Sequence, residues 1–441
     1  MTHTPLTEGT RPAGQTQDPR HDEPPVSESL AATTAPPAGA VKRWPMEVWL
    51  LLGGTLVVRG AGFAYPFLSY RLSSLGFSAS LVAWVLAAFG GGWLTGQVLF
   101  GWLADRLGRR TTLVCTMLAA AVILPVLGEV RSPLALLTTS FLAGVVYDAS
   151  RPIVSALIAD LVPSEGGRAV VNGWRHFAVN VGAALTGSLG GLLAGQAGLP
   201  LLFWINAVAC AVFGIAAWRF LRPGHTPGTV ERGGYRQALK DGRLWLVSLA
   251  SWCALTCASG MFTALPMLMT AHHLDATAYG WTQAANAAAV LFLSPLVTPW
   301  LGRRASSGRP MTGVVAASSL FLGAGMGAAG LATSTLGFSL CVAAAVPGEI
   351  LLFVGATDIV NRIAPPHARG RYAGLWGTTL ALSVITAPVL TAWALNTGGD
   401  VLVAVTTFLA GALGAALCLP LHAALRSHAP DAPAPLSHPV S

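Results

Sequence analysis

Asp148 and Glu349 are carboxylates that stand inside long apolar runs, Leu134 to Asp160 and Leu336 to Val360, about 200 residues apart. A carboxyl group in apolar surroundings is neutralised either by a proton or by a neighbouring cation. Switching between those two conditions is the chemistry of a protonatable carrier; the other reading is a permanent ion pair that serves packing. Three arginines share this setting. Arg59 lies mid-run in Trp49 to Tyr70, Arg151 is one turn from Asp148, and Arg175 lies in Val170 to Ala194 with His176 beside it. An Asp148 and Arg151 pair at i, i+3 neutralises itself locally, which leaves Arg59 and Arg175 to be balanced by backbone carbonyls, water or an anionic substrate. The surplus of positive charge hints at an acidic or phosphate-bearing ligand, although structural networks also use such arginines. His176 reads as a proton relay or as a packed polar residue.

Those groups need a scaffold that places them in an apolar phase. The chain has 441 residues, of which 53% are hydrophobic and 10% charged, with a mean hydropathy of +0.61; a soluble enzyme is far more polar. Twelve apolar runs are long enough to cross a bilayer. They are Trp49 to Tyr70, Ser80 to Ala104, Thr111 to Val130, Leu134 to Asp160, Val170 to Ala194, Leu201 to Phe220, Leu244 to Met269, Tyr279 to Trp300, Met311 to Leu331, Leu336 to Val360, Tyr372 to Leu395 and Val401 to Leu421. The expected fold class is an all-α integral membrane protein with 12 transmembrane helices.

Lys and Arg resist translocation and collect on the cytoplasmic side. With the amino terminus inside, Arg71 and Arg131 fall outside, Arg59, Arg151 and Arg175 fall within spans, and the other cations fall on the cytoplasmic side. The net charge of +8 therefore reflects topology and calls for no nucleic-acid partner. The expected location is the cell membrane, with the lipid bilayer as partner and both termini cytoplasmic. Residues 1–44, rich in Pro, Thr, Ala and acidic side chains, read as a disordered tail, as do residues 426–441.

Cys115, Cys210, Cys253, Cys257, Cys341 and Cys418 all fall inside the apolar runs, where thiols behave as small apolar residues. Cys253 and Cys257 share a helix face without the further ligands a metal requires. His272, His273 and Asp275 could hold a cation, but simple loop polarity accounts for them, and no metal site is expected.

Two patterns organise the chain. The first is Gly101-Trp102-Leu103-Ala104-Asp105-Arg106-Leu107-Gly108-Arg109-Arg110, a polar loop between the second and third runs. Its glycines permit a tight turn, and its charges can pair with neighbouring helices. The second is repetition at an offset near 200 residues: Pro66 with Pro266, Trp102-Leu103 with Trp300-Leu301, and Pro163, Arg168 and Gly173 with Pro365, Arg369 and Gly374. That offset indicates two six-helix halves in parallel repeat, residues 45–220 and 244–425, joined by residues 221–243.

The polar loop matches G-x-L-x-D-R-x-G-R-[KR] throughout and resembles the signature loop between helices two and three of the major facilitator superfamily. The second copy departs from it, with Arg303 in the place of Asp105. The fifth run, with Gly173, Gly182, Gly187, Gly190 and Gly191, is similar to the glycine-rich antiporter motif of drug exporters. It has Thr186-Gly187 where that motif has Gly-Pro, and Ser140 stands where drug:proton antiporters place an arginine. The Arg151-Pro152 pair and the run from Ala159 to Pro163 again look like multidrug-exporter relatives.

The resemblance implies two pseudo-symmetric six-helix bundles around a cavity lined by helices one, four, seven and ten, which would put Asp148 and Glu349 on the pathway. It implies a conformational latch formed by Gly101, Asp105, Arg106, Gly108, Arg109 and Arg110, with Asp105 facing Gly370 to Gly374 and Arg109 pairing with Asp160. Trp84, Trp93, Trp252, Phe262 and Trp376 are candidates to contact an apolar drug, and Pro347-Gly348 either breaks or kinks the tenth helix. Neither lysine, Lys42 or Lys240, follows a phosphate-cradling glycine pattern, so no ATPase or other cofactor is expected and a proton gradient is the simplest energy source. The expectation is a monomeric secondary transporter rather than an enzyme: a proton-coupled exporter of amphiphilic drugs or a natural product. The alternatives are a carrier of a small, anionic or neutral metabolite and, more remotely, a transporter-like sensor.

Overall fold

In an apolar phase each helix must satisfy its own backbone, so the ends of the helices are where the polar side chains matter. The computed structural model describes residues 44–222, 236–307, 310–365 and 368–426. Six helix starts are capped by a serine or aspartate that accepts a backbone N–H of the first turn: Ser78 from Leu81, Ser132 from Ala135, Ser164 from Gly167, Asp241 from Arg243, Asp275 from Ala278 and Ser334 from Gly337.

The elements run in order as α1 (Met46–Gly60) and α2 (Ala64–Ser74), which share the first span, then α3 (Ala79–Leu107) and α4 (Arg109–Glu129). The fourth span is α5 (Pro133–Tyr147) with α6 (Ser150–Leu161), followed by α7 (Glu165–Ala197) and α8 (Leu199–Phe220). A short α9 (Arg236–Lys240) leads into the seventh span, α10 (Gly242–Ser259) with α11 (Ala264–Ala271), and then come α12 (Ala276–Ser306), α13 (Thr312–Ala329) and α14 (Thr335–Ile363). The last element, α15 (Arg369–Arg426), is 58 residues long, about 87 Å of helix, far more than one bilayer crossing. Gly399, at φ 64° and ψ −156°, divides it into two spans. Twelve spans result. The expected tail over residues 1–44 lies outside the described residues except for Trp44, and the greater part of the 221–243 connection and the tail after Arg426 lie outside them too.

Three spans are broken near mid-length, and one cause serves all three. Pro66, Pro152 and Pro266 are each the third residue of the second helical piece. A proline there has no N–H to donate, and its ring excludes the carbonyl four residues back, at Gly62, Asp148 and Phe262. The breaks at Ala61–Phe63 and Gly260–Thr263 repeat at the 200-residue offset. Pro347 acts otherwise: α14 runs through it unbroken, and Ser318 Oγ donates to the Gly348 carbonyl at 2.7 Å.

In the first half α3 packs on α5, α4 on α8 and α1 on α7; in the second, α10 and α13 pack on α15, and α13 also packs on α14. The halves meet where α3 lies on α15 and α7 on α12. Phe67, Phe89, Phe203, Tyr279, Phe338 and Tyr372 are fully buried, while Trp84, Phe292, Leu296 and Leu419 are exposed on the outer, lipid-facing surface.

The bundle has two unlike ends. Arg106, Arg109, Arg110, Arg303, Arg304 and Arg369 belong to one, the basic end. Contacts between halves lie toward the other. There Asn396 Nδ2 donates to Ser80 Oγ at 2.8 Å and Thr277 Oγ1 to the Gly191 carbonyl at 3.2 Å. Phe67 and Tyr70 of α2 both meet the Tyr279 ring of α12, with centroids 5.4 and 5.6 Å away. At the basic end, a Cβ added to Gly370, Gly374 or Gly377 would meet no atom within 4 Å. Among the described residues these contacts close the halves at the far end, and the glycines at the start of α15 face open space at the basic end.

Candidate functional site

The break in the fourth span creates the central ion-pair cluster. Asp148 ends α5 at φ −120° and ψ 13°, and its side chain is fully buried. Arg59, in the last turn of α1, pairs with Asp148 Oδ1, and Arg151, in the first turn of α6, pairs with Oδ2. Arg59 and Arg151 keep 28% and 44% of their side-chain surface accessible, at the mid-length of their spans, so the open end reaches them. Asp148 thus takes Arg59 as well as its i, i+3 neighbour Arg151. Arg175 is left with neutral partners, donating to Ser155 Oγ at 2.6 Å and to the Arg151 carbonyl at 3.4 Å. His176 is exposed and makes no hydrogen bond among the described residues.

Glu349 is in different surroundings. It lies on unbroken α14 and, among the described residues, has no ion-pair partner. The polar side chain that faces it is Asn286 of α12. The two are near enough to interact, yet Glu349 Oε2 and Asn286 Nδ2 are both buried without a partner at hydrogen-bond geometry.

Aromatic rings line the first-half side of the breaks. Tyr65 stacks on Phe89 at 4.8 Å and meets Tyr147 at 5.6 Å; Tyr147 also meets Phe89 at 5.0 Å and Trp93 at 5.6 Å. Phe262, in the broken seventh span, reaches across to Tyr65 at 6.1 Å. The Tyr65 hydroxyl is buried without a partner. Of the five aromatics expected at the site, Trp93 and Phe262 join this group. Trp84 is 61% exposed and makes none of these ring contacts, and Trp252 and Trp376 are tied within the second half to Thr386 and Ser251. Tyr65 and Tyr147 were missed; their signal was adjacency, Tyr65 preceding Pro66 and Tyr147 preceding Asp148.

The glycines of α7 mark close approaches. A Cβ on Gly182 would come within 2.5 Å of Arg59 Cβ, on Gly187 within 2.4 Å of Gln283 Cβ, and on Gly190 within 2.4 Å of the Phe67 ring. Gly191 lies against Gly280, and Gly173 lies two residues before Arg175 on the same helix. Thr186 Oγ1 donates to the Arg59 carbonyl, which also accepts the Gly62 N–H at the first break. The Met261 carbonyl, freed by the seventh, accepts from Tyr279 Oη at 3.2 Å and Gln283 Nε2 at 3.3 Å.

At the basic end Gly108, with φ 84°, makes the turn from α3 to α4. Arg109 pairs with Asp160 Oδ2 and donates to the Ala156 carbonyl at 2.8 Å. Arg110 donates to the Trp218 carbonyl, and the Arg106 guanidinium lies 4.3 Å over Trp102. Gly101 is exposed in the last turns of α3. The side chain of Asp105, and with it the expected approach to Gly370 to Gly374, lies outside the described residues. A tie that sequence reading missed sits beside them: Asp241 accepts from Arg243 Nε and Nη2, each at 3.0 Å, and from Tyr372 Oη at 3.1 Å. Burial would push the Asp241 carboxyl up, but the hydrogen bonds from Arg243 and Tyr372 outweigh it and hold the group below its ordinary value. At the far end, His272 is used in a 2.9 Å contact with Asp400, and Asp275 is used in capping α12.

A model of the Major Facilitator Superfamily matches residues 50–388. The chain is 26% identical over 368 residues to a gentisate transporter of Corynebacterium glutamicum, covering 75% of this chain and 77% of that protein. It is 29% identical over 235 residues to multidrug resistance protein MdtG of Proteus mirabilis, covering 50% of this chain and 57% of that one. With MdtH of Salmonella arizonae the identity is 25% over 355 residues, covering 76% and 82%. Among solved structures, a POT family transporter in complex with a thioalcohol conjugated peptide superposes with a TM-score of 0.74 at 12% identity, covering 90% of this chain and 99% of that one. At that identity the likeness speaks for the fold alone.

Proposed function

We propose that this chain, which belongs to the Major Facilitator Superfamily, is a secondary active transporter that exports an amphiphilic small molecule in exchange for protons, with Glu349 as the coupling carboxylate. The observation that carries the assignment is the contrast between the two acids, Asp148 fully buried and Glu349 half-buried. Asp148 has its charge balanced twice, by Arg59 and Arg151. Among the described residues the polar side chain facing Glu349 is the amide of Asn286, so a proton is what neutralises it at membrane depth. Opening to one side and then the other changes the solvation of Glu349 and exchanges that proton.

Positive-inside topology makes the basic end cytoplasmic, with both termini there, so the cavity described above faces the cytoplasm. The Arg109–Asp160 pair and the signature loop act as the latch for the opposite conformation, and one chain is the working unit. Export is supported by the multidrug resistance relatives. A second reading is uptake of an aromatic acid, supported by the arginine surplus and by likeness to the gentisate transporter.

The test is flux in proteoliposomes under an imposed pH gradient, with fluorescent cationic, anionic and zwitterionic amphiphiles. Wild type is expected to move at least one of them with the gradient, and Glu349→Gln to lose gradient-driven flux while still exchanging label at equilibrium. Gradient-driven flux that survives in Glu349→Gln overturns the assignment. Cellular retention of the same compound, lowered by export and raised by uptake, decides direction.

A further inference from the structure

The two halves, which form the walls of the transport site read above, carry opposite charge. On the first-half wall, three guanidiniums, Arg59, Arg151 and Arg175, stand against the single carboxylate of Asp148, and Arg175 has only neutral partners. On the second-half wall stands Glu349, half-buried and, among the described residues, without a cation, with the unpartnered amide nitrogen of Asn286.

The walls are also level. Helices α7 and α12 run antiparallel with Gly191 on Gly280 and Gly187 on Gln283. Continuing that register sets Asn286 opposite about Ala184, roughly half a turn from Gly182. Gly182 packs on Arg59 and Gly60. Asn286 with Glu349, and Arg59 with Asp148, therefore occupy the same depth on either side of α7. Between them and the closed end lie the rings of Tyr65, Tyr147 and Phe262.

We infer that the transported solute is amphoteric and aromatic, with its acidic group on Arg151 and Arg175 and its protonated amine between Glu349 and Asn286. This rests on the reading of the same cavity as a transport site. A simple anion would satisfy the arginines and leave the proton on Glu349 undisplaced, so it could not be exchanged for that proton; a simple cation would displace the proton and meet the guanidinium surplus. A solute with both charges neutralises both walls, and its aromatic body packs on the partly exposed rings of Tyr147 and Phe262. On return, a proton takes the place of the amine at Glu349, so solute and proton compete for one carboxylate.

Norfloxacin, which carries a carboxylate and a secondary amine on a fluorescent ring system, is the probe, beside its methyl ester and its N-acetyl derivative. Binding to purified protein is measured by equilibrium dialysis. Wild type is expected to bind norfloxacin roughly tenfold or more tightly than either blocked form, because each leaves buried polar groups unpaired. Arg151→Gln, which leaves Asp148 paired with Arg59, is expected to bind norfloxacin and the ester alike while still rejecting the N-acetyl form. Glu349→Gln is expected to show the reverse pattern. Equal binding of all three by monodisperse wild type, or binding of none, overturns the inference. So does discrimination that neither substitution alters. Loss of gradient-driven flux in Glu349→Gln with amine discrimination intact leaves the coupling role standing and removes the dipolar site. Altered discrimination with gradient-driven flux intact does the opposite.

Discussion

Gly191 of α7 and Gly280 of α12 meet backbone to backbone: a Cβ on either would come within 2.6 Å of the other's Cα. Neither flexible side chain nor solvent lies between them, so this contact sets how closely the two halves approach at the far end. Gly191→Val is expected to hold that end apart and shift the population toward the outward-open form. Transport is expected to fall by about tenfold or more, since a clash of this kind costs at least about 1–3 kcal/mol. Spin-label distances across the far end, longer in the variant than in wild type, check it; unchanged distances with normal flux would refute it.

Asp148→Asn removes the one anion from between Arg59 and Arg151. Stranding buried charge is expensive, on the order of 3 kcal/mol. Arg151, being 44% exposed, accounts for the smaller share because water screens it. A lowered melting temperature in detergent is expected, with partial recovery in Asp148→Asn combined with Arg59→Gln. Equal stability of the single variant and wild type would show that the cluster is solvated in place.

The Arg109–Asp160 pair is exposed on the carboxylate side, with 56% of the Asp160 side chain accessible. Its contribution to folding is therefore small, within about 1 kcal/mol, while its place between α4 and α6 lets it bias the basic end. Asp160→Asn and Asp105→Asn are expected to insert and purify normally and to transport slowly. A variant of either kind that transports at the wild-type rate would remove the latch.

Asp241 has its carboxyl held below the ordinary value by Arg243 and Tyr372. A depressed carboxyl stabilises the fold in full above its unfolded value, near 4, and that contribution is lost as pH falls through the folded value. Wild type is expected to lose more stability than Asp241→Asn between about pH 5 and pH 3, and Tyr372→Phe to fall between them. Parallel melting curves for the three across that window would contradict the assignment.

How much of this was legible from residues alone follows from the range of the interactions. Hydropathy is local, so the twelve spans could be counted, and α15 is split at Gly399 just where the runs Tyr372 to Leu395 and Val401 to Leu421 separate. The Pro66 and Pro266 pair was legible as a repeat but not as a pair of helix breaks. The side chains that bond the backbone near these prolines, Thr186 on Arg59, Tyr279 and Gln283 on Met261 and Ser318 on Gly348 of the unbroken α14, come from other helices, so spacing along the chain does not show which prolines break a span.

The sequence by itself determined the membrane class, the two-half plan, the basic end and the inventory of buried charge, because each depends on composition, periodicity or a short motif. Only the tertiary structure decided who answers those charges. Arg59 reaches Asp148 from 89 residues away, Asn286 is set before Glu349, and Arg175 is left to Ser155. Partners across a helical bundle are chosen by lateral packing and rotation of the spans, and neither quantity is written in the spacing along the chain.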